Sequence, residues 1–188
     1  MRIVGGKFKG RRIATPTGRN TRPTSDRARE AIFNILSHAD WAPDLAGARV
    51  IDAFAGSGAL GLEALSRGAS FCLFIEMANS ARRVIRSNAT DMGLEEPVLV
   101  QKRMADALGD RPDDRDPFDI IFIDPPYEKG LVGPTLEGLR SGGWLTLEAA
   151  LIIETAQGED IDLDGWVLLD ERNYGAACVR FIRQSVDA

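Results

Sequence analysis

Four residues, Asp124, Pro125, Pro126 and Tyr127, concentrate chemistry at one point of this 188-residue chain. They follow an apolar run at 120–123. Neither proline has an N–H to donate to a sheet ladder, so strand pairing ends where the carboxylate appears. An exocyclic amine on a nucleobase is a poor nucleophile, because its lone pair is delocalised into the ring. Hydrogen bonds from that amine to Asp124 and to a carbonyl of the proline corner favour a more tetrahedral, nucleophilic nitrogen. A charge-assisted bond of this kind is worth about 1.5–3 kcal/mol. Tyr127 offers a ring on which the base can stack. The four residues specify an amino group and not a particular base.

A second constellation lies upstream, in "DAFAGSGALG". Gly56, Gly58 and Gly61 match G-x-G-x-x-G between a strand pattern and a helix pattern. Glycines there permit a tight turn and close approach of a ligand to backbone at a helix N-terminus. Glu76 ends the next strand, 20 residues beyond Gly56. A carboxylate at that place accepts both hydroxyls of an adenosine ribose. An adenosine-containing cofactor is therefore expected, and both NAD and S-adenosylmethionine (SAM) satisfy the pattern. Asp52 and Phe54, just before the glycines, tilt the choice. A carboxylate at the loop mouth repels a pyrophosphate and attracts the sulfonium and ammonium of SAM. Asp106, after the third strand in "RMADAL", either accepts from the adenine amino group or is an ordinary surface acid.

These residues need a frame that brings strand ends together. "ARVIDAFAG", "SFCLFIE", "PVLVQK", "FDIIFID" and "EAALIIETA" read as five strands, largely apolar throughout. Helical patterns alternate with them: "RPTSDRAREAIFNILSH", with N-cap oxygens on Thr24, Ser25 and Asp26; "ALGLEALSRG"; "ANSARRVIRSNATDMG"; and "GLVGPTLEGLRSGG", with Pro134 in its first turn or kinking it. Apolar strands alternating with helices predict a doubly wound, Rossmann-like parallel sheet covered on both faces. "GWVLLDERNYGAACVRFIRQ" adds two strands joined at 173–175, hence a terminal antiparallel pair. In such a sheet the fourth strand neighbours the first, so residues 124–127 face the same crevice as the glycine loop.

The charge is unevenly spread. Residues 1–30 hold nine basic and two acidic residues, a net of +7, whereas the remainder holds 14 and 26, a net of −12. Such an arm is either a solvated tail or a contact for a polyanion. "RIVGG" and "RRIAT" predict a small β-hairpin with Gly5 and Gly6 near its bend. Cys72 and Cys178 sit in apolar runs and read as reduced core thiols. His38 ends a helix and reads as a C-terminal cap. No His, Cys and carboxylate residues have metal-ligand spacing. The sequence has neither an apolar leader nor a membrane-length apolar run, so a cytoplasmic protein is expected, and nothing demands more than a monomer.

At these residues the chain resembles the class I SAM-dependent methyltransferases, and within them the RsmD family of bacterial 16S rRNA (guanine-N2) methyltransferases. The resemblance rests on "RIVGGKFKGRRI", "RPTSDRAREAIFNIL", "DAFAGSGALGLEALSRGA", "FDIIFIDPPY" and "YGAACVRFI". It implies that Gly56, Gly58, Glu76 and Asp106 bind SAM, with Thr24 bordering it, and that Asp124, Pro125 and Tyr127 hold the target amine. It also implies that the basic segment, with Arg2, Lys7, Lys9, Arg11, Arg12 and Arg22, contacts 16S rRNA or an assembling small ribosomal subunit. Residues 1–24 would form that extension and 25–188 the methyltransferase domain. A glycine-rich turn is expected before the fifth strand, yet Gly142 and Gly143 precede the strand as read from the sequence. Three other readings remain open. An adenine-N6 methyltransferase would suit the same amine. An NAD-dependent oxidoreductase would need hydride-transfer chemistry not found in the sequence. A non-catalytic RNA-binding module would leave residues 124–127 without a role.

Overall fold

The computed structural model describes residues 1–16 and 26–185. Helix α1 (Asp26–His38) leads into β1 (Arg49–Ala53), α2 (Ala59–Ser66), β2 (Phe71–Ile75), α3 (Asn79–Met92) and β3 (Val98–Gln101). After a 3-10 turn at Ala105–Ala107 come β4 (Phe118–Ile123), α4 (Val132–Ser141), β5 (Leu145–Ala156), β6 (Trp166–Tyr174) and β7 (Ala177–Gln184). One seven-stranded sheet has the order β3-β2-β1-β4-β5-β7-β6. The first five strands are parallel, and β7 pairs antiparallel with both β5 and β6. The doubly wound sheet and its antiparallel pair are as expected.

Alternation along each strand explains why the runs are apolar throughout. Val50, Cys72, Ile120, Phe122 and Ile152 face one core with α1, α2 and α3. Ile51, Leu73, Ile121, Ile123 and Ile153 face the other, with α4 and Trp144. A strand buried on both sides excludes polar residues unless, like Asp52, they are hydrogen-bonded. Cys72 and Cys178 are both buried. His38 closes α1, with its Nδ1 2.8 Å from the Asn34 carbonyl. Pro134 lies in the first turn of α4. The fifth strand starts at Leu145, earlier than expected, so Gly142 and Gly143 do form the turn before it. Among the described residues no helix is long and apolar enough to cross a membrane.

The basic arm turns back on itself by a short antiparallel pairing. One antiparallel bridge joins Arg2 to Arg12, flanked by bonds from Ile3 N–H to the Arg11 carbonyl at 2.9 Å, Gly10 N–H to the Ile3 carbonyl at 2.8 Å and Ile13 N–H to the Met1 carbonyl at 3.2 Å. Between them three further backbone groups bond outward, to α2. Val4 N–H donates to Glu63 Oε2 at 2.8 Å, Lys7 N–H to the Ser66 carbonyl at 2.7 Å, and Phe8 N–H to Ser66 Oγ at 3.0 Å. Gly6, at φ +70°, lies so close to Ser66 that a β-carbon there would strike the Ser66 carbonyl. Ile3 and Ile13 enter the same core as α1–α3. The arm is thus held both by its own antiparallel pairing and by Glu63 and Ser66 of α2.

Candidate active site

The loop after β1 is built around two carboxylates. Asp52, 2% exposed, receives the Gly61 N–H on Oδ2 at 2.9 Å, which ties the strand to the first turn of α2. Burial pushes its carboxyl from 3.8 up to about 8; the Gly61 amide opposes this and the nearby Glu76 charge adds to it. Glu76, one step past β2, accepts from Gly56 N–H at 2.9 Å on one oxygen and from Ala78 N–H at 2.6 Å on the other. Each oxygen keeps acceptor capacity for a ligand. The loop therefore has its floor and its wall fixed by side chains from adjacent strands.

The three glycines have different duties. Gly56, at φ +54°, lines the cavity, and nothing but the Phe54 carbonyl lies within 4 Å of where its β-carbon would be. Gly58, at φ +78°, is buried behind the loop, where a β-carbon would sit 3.1 Å from Ile85 and 3.2 Å from Phe74. It shapes the turn and does not line the cavity. A β-carbon on Gly61 would collide with Phe74 and lie 2.6 Å from Cys72 Sγ, so this glycine lets α2 pack on β2. Phe54 adopts φ +61°, left-handed backbone that non-glycine residues seldom take.

β4 and β1 are paired with Ile123 level with Ala53, so Asp124 emerges beside the loop. Asp124 and Tyr127 are half-buried, Pro125 is buried and Pro126 exposed. The Tyr127 phenol donates to Glu154 Oε1, on β5, at 3.0 Å. One cavity of about 810 Å³ takes in Asp52, Phe54, Gly56, Glu76, Asp106 and all of residues 124–127. Four carboxylates line it, and Arg103 is the one basic side chain among its described lining residues.

Sequence reasoning missed several of the residues found here. Met1, Thr15 and Pro16 bring the arm to the cavity edge, and Met77 and Met104 line it while remaining half exposed. Glu154 was also missed. The available signal was a carboxylate ending the apolar run in "ALIIETA", in the same place as Asp124 in "IIFIDPP". Of the arm's cations, Lys7, Lys9 and Arg12 are exposed. Arg2 reaches Asp26 at 3.7 Å, and the Arg11 guanidinium donates to the Asp91 carbonyl. Thr24 and Arg22 lie outside the described residues.

A family model described as Conserved hypothetical protein 95 matches residues 1–183. Ribosomal RNA small subunit methyltransferase D of Escherichia coli (strain K12) is 37% identical over 155 residues, covering 82% of this chain and 74% of that protein. The chain belongs to this family, the RsmD family. Ribosomal RNA small subunit methyltransferase D of Haemophilus influenzae is 31% identical over 183 residues, covering 96% and 92%. The solved structure of the putative methyltransferase yhhF from Escherichia coli superposes with a TM-score of 0.82 at 33% identity, covering 98% of both chains. The sheet order is thus that of a class I methyltransferase fold.

Proposed function

We propose that this family member transfers a methyl group from SAM to the exocyclic N2 of a guanine in 16S rRNA, as free RNA or in an assembling small subunit. One observation carries the reading: the glycine loop, Glu76, Asp106 and the corner at 124–127 open into a single cavity lined by four carboxylates. The acids facing the cavity, with Asp52 able to ionise beside a cation, suit a sulfonium and an ammonium and oppose a pyrophosphate, which disfavours NAD. The names of the Escherichia coli and Haemophilus influenzae relatives support an rRNA substrate.

When bound, SAM supplies a methyl group activated by a positively charged sulfur. The protein contributes position and charge. Gly56 leaves room for a ligand at the loop backbone, Glu76 offers its remaining acceptor capacity to the ribose hydroxyls, and Asp106 accepts from the adenine amino group. Asp52 and Phe54 form the wall at the loop mouth. Asp124 accepts an N–H of the guanine amine, drawing density back onto nitrogen, and stays beside it as an acceptor while the methylated amine gives up its extra proton to solvent. Pro125 and Pro126 fix the corner, and Tyr127 stacks on a base turned out of its helix. Residues 1–24 act as the RNA-contacting extension of a catalytic domain over 25–188. Arg2, Lys7, Lys9, Arg11, Arg12 and Arg22 meet phosphates, and Thr24 borders the cofactor. The reaction belongs in the cytoplasm, where ribosomes assemble.

Nucleoside mass spectrometry of rRNA from a deletion strain tests the reading. Loss of N2-methylguanosine, restored by the intact gene, is expected. Loss of N6-methyladenosine instead would transfer the same site to adenine, and an unchanged profile would reject rRNA methylation.

A further inference from the structure

We propose that Glu154 is a positioning residue for methyl transfer: its buried carboxylate tethers the Tyr127 phenol and holds the ring at the acceptor side of the cavity. The proposal rests on the function given above. Parallel pairing sets Ile123 of β4 level with Ile153 of β5, so Asp124 and Glu154 are the next residues on neighbouring strands. Residues 149–153 of β5 are all apolar and buried, and Glu154 is only 7% exposed. A carboxylate in that setting is costly unless it is hydrogen-bonded. Its Oε1 receives the Tyr127 hydroxyl at 3.0 Å.

The ring needs such a hold. Tyr127 leaves a corner whose next three residues, 128–130, are exposed, and Glu128 there adopts φ +57°. A half-buried tyrosine on such a turn has rotamers that reach solvent. Fixing the backbone end with two prolines and the hydroxyl end with a strand residue leaves the ring little rotational freedom. A stacking platform held at both ends spends less entropy when a base arrives and keeps the amine in line for attack.

The test combines kinetics with a signal from the ring itself. Glu154→Ala should lower kcat for RNA methylation about 10–100-fold and leave the Kd for SAM within about twofold. Glu154→Gln retains an acceptor oxygen and should recover most of the rate. Tyr127→Phe should lose as much as Glu154→Ala, and the double variant should lose no more than either alone. The chain has two tyrosines, so 3-fluorotyrosine labelling in a Tyr174→Phe background isolates Tyr127 by fluorine NMR. Its resonance should move toward the mobile, solvent-exposed position in Glu154→Ala. An unchanged resonance, an unchanged kcat, or additive losses in the double variant would each overturn the tether. If the wild-type protein transfers no methyl group from SAM to RNA, the proposed function fails, and the fluorine signal alone then decides whether the tether exists.

Discussion

Asp52 and Asp124 sit at the carboxyl ends of adjacent parallel strands, and the sheet gives them opposite environments. Asp52 is level with Phe122, within the paired part of β1, and is almost wholly buried against the α2 amide. Asp124 lies just beyond the pairing, half-buried on a proline corner. Depth along the strand separates the two roles. The deeper acid is held by backbone and shifted upward by burial, so it keeps a proton near neutral pH that a bound cation would displace. The protruding acid stands where a second substrate can reach it.

The largest expected effect separates the two halves outright. Asp124→Ala should lower kcat by about 100-fold or more while the SAM Kd measured by calorimetry stays unchanged. A variant turning over near the wild-type rate would remove Asp124 from the acceptor role. Next in size is Gly61→Ala, which drives a methyl into Phe74 and disturbs the amide that holds Asp52. It should cost about 1–3 kcal/mol in denaturant unfolding, and a neutral result would mean that α2 has room to shift.

The deep acid predicts a pH signature. With its carboxyl raised to about 8, folded Asp52 holds a proton that the unfolded chain releases above 3.8. The folded state thus binds more protons between these values, so this group's contribution to stability falls as pH rises from about 4 to 8 and levels off above. The limiting slope is about 1.4 kcal/mol per pH unit, and Asp52→Asn should remove it from urea unfolding curves. A cationic ligand favours the ionised carboxylate, so SAM binding at pH 7 should release a proton and tighten toward pH 8. Calorimetry in buffers of different ionisation enthalpy reads this directly, and no proton release would contradict it.

The smallest effect concerns the arm. Charge reversal at Arg11 and Arg12 should weaken RNA binding and reduce the slope of log K against log salt concentration by about 1.5–2. An unchanged slope would mean that neither residue meets a phosphate.

The central strands β1, β2 and β4 were legible because each is buried on two faces and so reads as a nearly unbroken apolar run. The strand-end acids were legible because polar residues interrupt those runs abruptly. The arm's anchoring was not. Glu63 and Ser66 look like ordinary polar residues of α2, yet Glu63 is fully buried with Arg29 and Arg67 and takes a backbone N–H of the arm. Those side chains pin the arm's backbone beside its own antiparallel pairing. Nor does a glycine motif tell which glycine faces a ligand, since Gly56 and Gly58 share positive φ and differ only in what packs behind them. Glu154 required the pairing of β4 with β5, which no local pattern encodes.

The central claim is that the two strand ends form a site for a cationic methyl donor beside its acceptor. Titrating the purified protein with SAM and, separately, with NAD tests it most directly. Saturable binding of SAM that weakens in Glu76→Ala, with no binding of NAD under the same conditions, is the predicted result. Binding of NAD in preference to SAM would contradict it.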